Sequence, residues 1–132
     1  APAIKFFNRS NDFSSNAMQE QGKGNLILIG SMSADSRGEG SSLYVATKAA
    51  VQGFAESLRK EVNPEGINVT LIEPGAVDTD MQEQPQEEKK QKITAMEMLM
   101  ADDIAQSVIY VLSQSERTSI VELKIKPLKQ LI

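Results

Sequence analysis

The 132-residue chain contains no cysteine, no histidine and no tryptophan. Without cysteine it forms no disulfide, and its redox compartment leaves no direct mark. Without cysteine and histidine, serine–histidine and cysteine–histidine nucleophiles and zinc-type centres are excluded within this chain, and no metal site is expected. Acid–base work must fall to Tyr, Lys, Asp or Glu. A basic excess is missing as well: 14 Lys and Arg stand against 18 Asp and Glu, a net charge of −4. That argues against nucleic acid as a partner. The one basic cluster, Lys89, Lys90 and Lys92, follows Glu87 and Glu88 and reads as a solvated helix face. No apolar run approaches the ~20 residues of a membrane span, and no secretory signal pattern is visible. The expectation is a cytoplasmic protein with no membrane partner. Internal repeats and low-complexity tracts are also lacking.

What is present centres on the stretch from Ser31 to Lys48. A serine stands at the end of an apolar run. Tyr44 and Lys48 follow at the start of a strongly periodic helix, four residues apart and so on one face. A cation beside a phenol favours the ionised form, which suits a phenol to acid–base work. A serine hydroxyl nearby can hold a substrate oxygen by hydrogen bonding. Together the three side chains suit proton transfer to or from an alcohol or carbonyl oxygen. On ordinary helices the same Tyr/Lys spacing is common, so the pair needs its surroundings to acquire meaning.

Those surroundings read as alternating helices and strands. Ile4 to Gln21 is expected to be helical and to end at Gly22-Lys-Gly24. Asn25 to Ser31, with the unbroken run Leu26–Ile29, predicts a strand covered on both faces. Met32 to Gly40 reads as a polar loop. Ser42 to Val62 predicts the best helix, capped by Ser41 or Ser42, with Ala46, Ala50, Phe54, Leu58 and Val62 along its apolar stripe. Tyr44 and Lys48 fall at the border of that stripe. Asn63-Pro-Glu-Gly66 breaks the helix. Ile67 to Ile72 predicts a second strand, leading into Glu73-Pro-Gly-Ala-Val-Asp-Thr79. In a parallel sheet ligands bind beyond the carboxyl ends of strands, which puts Ser31 and Pro74-Gly75 on one sheet edge. Asp80 to about Met98 reads either as a helix-containing lid or as a surface loop followed by core methionines. A helix from about Asp102 to Gln114 carries a row at Ile104, Val108 and Leu112, with Ala105 and Ile109 beside it. In Ile120 to Lys126, apolar residues alternate with charged ones, as in an edge or half-covered strand. The fold class is therefore α/β with a parallel sheet and right-handed crossovers.

Ser31, Tyr44 and Lys48 match the Ser…Tyr-x-x-x-Lys pattern of the short-chain dehydrogenases/reductases, with the serine thirteen positions before the tyrosine. Tyr44-Val-Ala-Thr-Lys-Ala-Ala-Val resembles that family's catalytic helix. Glu73-Pro-Gly-Ala-Val-Asp-Thr79 resembles its Pro-Gly-x-Val-x-Thr segment, and Ala101-Asp-Asp-Ile-Ala the start of its penultimate helix. The resemblance implies a partial Rossmann-type, doubly wound parallel sheet of about three strands with flanking helices. Residues 1–132 would be the C-terminal part of one NAD(P)-binding domain, with a substrate lid at about 80–100. It implies an oxidoreductase in which Tyr44 is the general acid/base, Lys48 assists it and binds the nicotinamide ribose, and Ser31 orients the substrate oxygen. Pro74, Gly75, Val77 and Thr79 would contact the nicotinamide end of the cofactor. The cofactor would be NAD or NADP, with NADP slightly favoured, and the substrate a small alcohol or carbonyl compound. A homodimer or homotetramer is implied, since the helix before the serine strand and the tyrosine helix commonly pack on a partner subunit in that family.

Other family motifs are not in the chain: the Thr-Gly-x-x-x-Gly-x-Gly phosphate turn and the Asn-Asn-Ala-Gly segment. The expectation is the C-terminal, catalytic half of a longer reductase. On its own it is expected to associate, to bind nucleotide poorly for want of a pyrophosphate cradle, and to be inactive. The alternative is a naturally complete, inactive interaction or regulatory protein that keeps the fold.

Overall fold

A computed structural model describes residues 17–78 and 84–132. Of the helix expected over Ile4–Gln21, only residues 17–21 lie within that range, and they are helical. The remaining elements are β1 (Gly24–Ile29), α1 (Ser33–Ser36), α2 (Ser42–Val62), a 3-10 turn (Asn63–Glu65), β2 (Ile67–Pro74), α3 (Gln86–Thr94), α4 (Ala101–Leu112) and β3 (Glu122–Ile125). The strands form one parallel sheet in the order β1-β2-β3. Gly24 pairs with Ile67 and Ile29 with Ile72; Leu71 pairs with Glu122 and Pro74 with Ile125.

β2 is the central strand, and all its residues but Asn68 are buried. Successive side chains point to opposite faces of the sheet, so Ile67, Val69, Leu71 and Glu73 share one face. On that face Ile67 and Val69 pack with Leu58 and Val62 of α2, flanked by Leu26, Leu28, Phe54 and Met18. Fully burying an aliphatic side chain contributes about 1.5–3 kcal/mol, so this cluster anchors α2 to the sheet. The turn between α2 and β2 requires Gly66. Its φ is +83°, and a Cβ there would meet the carbonyl oxygen of Gly22.

Three expectations change. β1 reads as a strand covered on both faces, but none of its residues is fully buried, and Ile29 at its end is exposed. The stripe of α2 is covered only over its second half: Leu58 and Val62 are buried, whereas Leu43, Ala46 and Ala50 are exposed. Only that half lies over the sheet. On α4 the buried positions are Ser107 and Val111, with Ile104 and Val108 half-buried, while Ile109 and Leu112 face outward. That helix is apolar around most of its girth, so periodicity alone misplaces the covered face by about a residue.

β3 behaves as its alternation predicts. Leu123 and Ile125 line a cleft with Ser107 and Tyr110 of α4. Glu122 and Lys124 point to the opposite, α2 side, where they line a cavity with Gln52 and Arg59. Helices thus flank both faces of the sheet, in a doubly wound arrangement. The polar stretch after Met32 contains the short helix α1, whose Ala34 is completely buried and which packs on α2.

Candidate active site

β1 and β2 deliver their carboxyl ends side by side. The N–H of Gly30 donates to Ile72 O at 2.7 Å and that of Met32 to Pro74 O at 3.0 Å. Ser31 is therefore held between two ladder bonds and is buried. Its Oγ accepts a hydrogen bond from the Ser33 N–H at 3.1 Å. With that lone pair engaged, the hydroxyl proton remains available to an acceptor.

α2 begins at Ser42 without a side-chain cap; the Ser41 carbonyl instead accepts from Val45 N–H at 2.8 Å. Tyr44 lies in the first turn, 45% exposed. Lys48 sits one turn on, with Nζ 5.6 Å from the Tyr44 ring centroid. This is within cation–π range and holds the two side chains together. Among the described residues, Tyr44 and Lys48 are thus brought together, whereas Ser31 is bonded within its own turn.

Pro74 is the last residue of β2, and Gly75 N–H donates to Ile125 O at 2.8 Å. A Cβ on Gly75 would meet Gln130 Oε1, so the turn accepts only glycine without displacing that side chain. The Gln130 oxygen in turn accepts from Ala76 N–H. Val77 is buried and bridges to Leu99, with Leu99 N–H donating to Ala76 O and Asp78 N–H to Leu99 O, both at 2.8 Å. Thr79 lies outside the described residues. Between this two-stranded neck, the chain carries α3. Its Lys89 is 3% exposed and forms an ion pair with Asp78 at 3.3 Å. Met98 is buried, whereas Met96 and Met100 are exposed. Within the described residues 84–98 the stretch carries a helix and returns through one core methionine, Met98.

Three contributors to this region escape sequence reasoning: Gln52, Glu73 and Gln130. Gln52 follows Lys48 by one turn on α2. Its Nε2 donates to Glu73 Oε2 at 2.7 Å and to Asp35 Oδ1 at 3.2 Å. Glu73 is completely buried, and its Oε1 has no hydrogen-bond partner among the described residues. Burial first, and then a hydrogen bond with Glu122, push the Glu73 carboxyl up to about 7. Carboxylate oxygens of Asp35, Glu73 and Glu122 all lie within 4.8 Å of one another. The cation serving this cluster is Lys124, 2.7 Å from Asp35 and 3.7 Å from Glu122. Its hydrogen bond holds the Asp35 carboxyl below the usual carboxylate range. A charged residue directly after the apolar pair Leu71-Ile72 is the one signal in the sequence that points to Glu73.

The family model described as short chain dehydrogenase matches residues 6–91. An uncharacterized oxidoreductase of Staphylococcus aureus strain USA300 is 38% identical over 112 residues, covering 83% of this chain and 45% of that protein. The fold is similar to a crystal structure of serine dehydrogenase from Escherichia coli, with TM-score 0.75 and 26% identity over 92% of this chain and 48% of the other. It is also similar to a beta-ketoacyl-[ACP] reductase from Bacteroides thetaiotaomicron, with TM-score 0.68 and 30% identity over 90% of this chain and 47% of the other. The chain belongs to the short chain dehydrogenase family. It spans about half the length of the curated relatives it matches.

Proposed function

We propose that the protein is an NAD(P)-dependent oxidoreductase that interconverts a carbonyl compound and its alcohol, with Tyr44 as the general acid/base. The observation that carries this reading is the Tyr44–Lys48 pair at the head of α2, with Nζ 5.6 Å from the ring centroid. Ser31 and Pro74-Gly75 stand at neighbouring strand ends, where α/β sheets bind their ligands. The residues present fit the nicotinamide end of the cofactor. A cation, Lys48, and two hydroxyl-bearing side chains, Ser31 and Tyr44, are the groups available for it.

When bound, the nicotinamide supplies or accepts the hydride. In the reducing direction Ser31 donates its hydroxyl proton in a hydrogen bond to the carbonyl oxygen and fixes its direction. Tyr44 gives its phenolic proton to that oxygen, so that hydride plus proton completes the alcohol. Lys48 stabilises the resulting phenolate and would hold the nicotinamide ribose. Pro74, Gly75, Val77 and Thr79 would hold the nicotinamide end of the cofactor, and the 80–100 stretch would serve as the substrate lid. The protein acts in the cytoplasm as a homodimer or homotetramer on a small-molecule substrate. An assay of the intact protein with NADH and NADPH against a panel of aldehydes and ketones tests this reading. Turnover with at least one nucleotide is expected, and none with either across the panel contradicts it.

A further inference from the structure

The most unusual feature outside the reacting groups is the buried Glu73 carboxyl. Its surroundings join the strand that leads to Ser31 and the helix that carries Tyr44 and Lys48. Ladder bonds from Gly30 to Ile72 and from Met32 to Pro74 bracket Glu73 on one strand and Ser31 on the other. Glu73 also lies under Gly30: a Cβ built there would stand 3.3 Å from Glu73 Cγ and 3.8 Å from Oε2. On the other side of Ser31, α1 supplies Asp35. Gln52 donates to both Glu73 and Asp35 from a single Nε2. It lies on the same helix as Tyr44 and Lys48, two turns beyond Tyr44 and one beyond Lys48.

We infer that Gln52 and Glu73 are positioning residues: the Gln52 carboxamide ties the tyrosine helix to both flanks of Ser31, with the buried Glu73 carboxyl as its support under the serine strand. This rests on the assignment of Ser31, Tyr44 and Lys48 as the reacting side chains. The charged and titratable groups facing the support are Asp35 from α1, Glu56 and Arg59 from α2, and Glu122 and Lys124 from β3. Lys124 bonds Asp35 and reaches Glu122, so Glu73 lacks a cation of its own. A proton held between Glu73 and Glu122 keeps the two from facing each other as charged groups. Removing that proton sets two carboxylates against each other in a buried place and loosens the support.

The test compares the intact protein with Gln52→Leu, Glu73→Gln and Tyr44→Phe. Leucine matches glutamine in volume but donates nothing. Glutamine at position 73 still accepts from Gln52 and can donate to Glu122 without ever carrying charge. Gln52→Leu is expected to lower kcat about tenfold, as loss of a charge-assisted hydrogen bond implies, with nucleotide KM within about twofold. Hydrogen exchange at the Met32 and Ser33 amides should quicken in Gln52→Leu and stay unchanged in Glu73→Gln at pH 6. From pH 6 to 8 the parent kcat should fall by about threefold relative to that of Glu73→Gln. A Gln52→Leu kcat within twofold of the parent, unchanged amide exchange, or superimposable pH profiles for parent and Glu73→Gln each overturn the inference. Glu73→Gln is isosteric and keeps the pH arm readable even where Gln52→Leu fails to fold. Full turnover in Tyr44→Phe overturns the reading of the site itself. Lost turnover in Tyr44→Phe with normal Gln52→Leu overturns the positioning role alone.

Discussion

The side-chain oxygen of Gln130 accepts a hydrogen bond from the backbone N–H of Ala76 at 2.9 Å. These residues are 54 positions apart, and the bond fixes the turn after Pro74 to the C-terminal tail. Lys129 N–H donates to Met96 O at 2.9 Å, so the tail also holds the returning end of the 80–98 excursion. Gln130→Ala is expected to cost about 1 kcal/mol of stability, the worth of one such bond. It should also raise the nucleotide KM several-fold, whereas Gln130→Glu, which keeps an acceptor, should restore both. Chemical denaturation and initial-rate kinetics on the three proteins check this.

Stability should fall as pH rises through the weakly acidic range. Glu73 has a folded-state pKa of about 7 against an ordinary 4.5. Between these values the folded chain binds a proton that the unfolded chain has released. The favourable contribution is therefore complete below about 4.5 and lost by about 7. Asp35 acts in the opposite sense: its depressed pKa stabilises the fold above the ordinary range and that support is lost in acid. Melting temperature measured from pH 4 to 8 should show the decline toward pH 7 in the parent. Glu73→Gln should abolish the decline and leave the acid limb.

Much of this was legible in the sequence because it is local. Tyr44 and Lys48 are one helical turn apart, so their meeting follows from α-helix geometry. The strand ends at Ser31 and Pro74 follow from where the apolar runs stop. The parallel pairing follows from helices lying between strands. What was not legible is contact between distant positions. Gln52 reads as one more polar residue on the solvent side of α2, and only the packing of α2 on β2 brings it to Glu73, 21 positions away. Gln130 lies beyond the last strand, in a tail without periodicity. Periodicity likewise marks Leu43, Ala46 and Ala50 as apolar but does not say how far along α2 the sheet extends.

Core and surface positions of the same chemical kind should respond differently. Ile72 is completely buried in the central strand, and Ile72→Ala should cost about 2–5 kcal/mol from lost burial and the cavity left behind. Leu43 is 84% exposed, so among the described residues it makes little contact. Leu43→Ser should change stability of the isolated chain by less than about 0.5 kcal/mol. Urea denaturation of both variants distinguishes these outcomes.

The isolated 132-residue chain should associate. β1 presents an unpaired edge among the described residues, and Ile29, Leu43, Ile109 and Leu112 are exposed. Unpaired strand edges with apolar neighbours invite pairing with other chains. Light scattering should show species heavier than 14.4 kDa that grow with concentration. A concentration-independent monomer with a cooperative melt contradicts this.

The central claim is that Tyr44 moves the proton. The most direct measurement is steady-state carbonyl reduction by the intact protein and by Tyr44→Phe, with nucleotide binding measured in parallel by fluorescence titration. Loss of a general acid should reduce kcat by about a hundredfold or more, while nucleotide affinity stays within a few-fold of the parent. A Tyr44→Phe variant that turns over within tenfold of the parent contradicts the account.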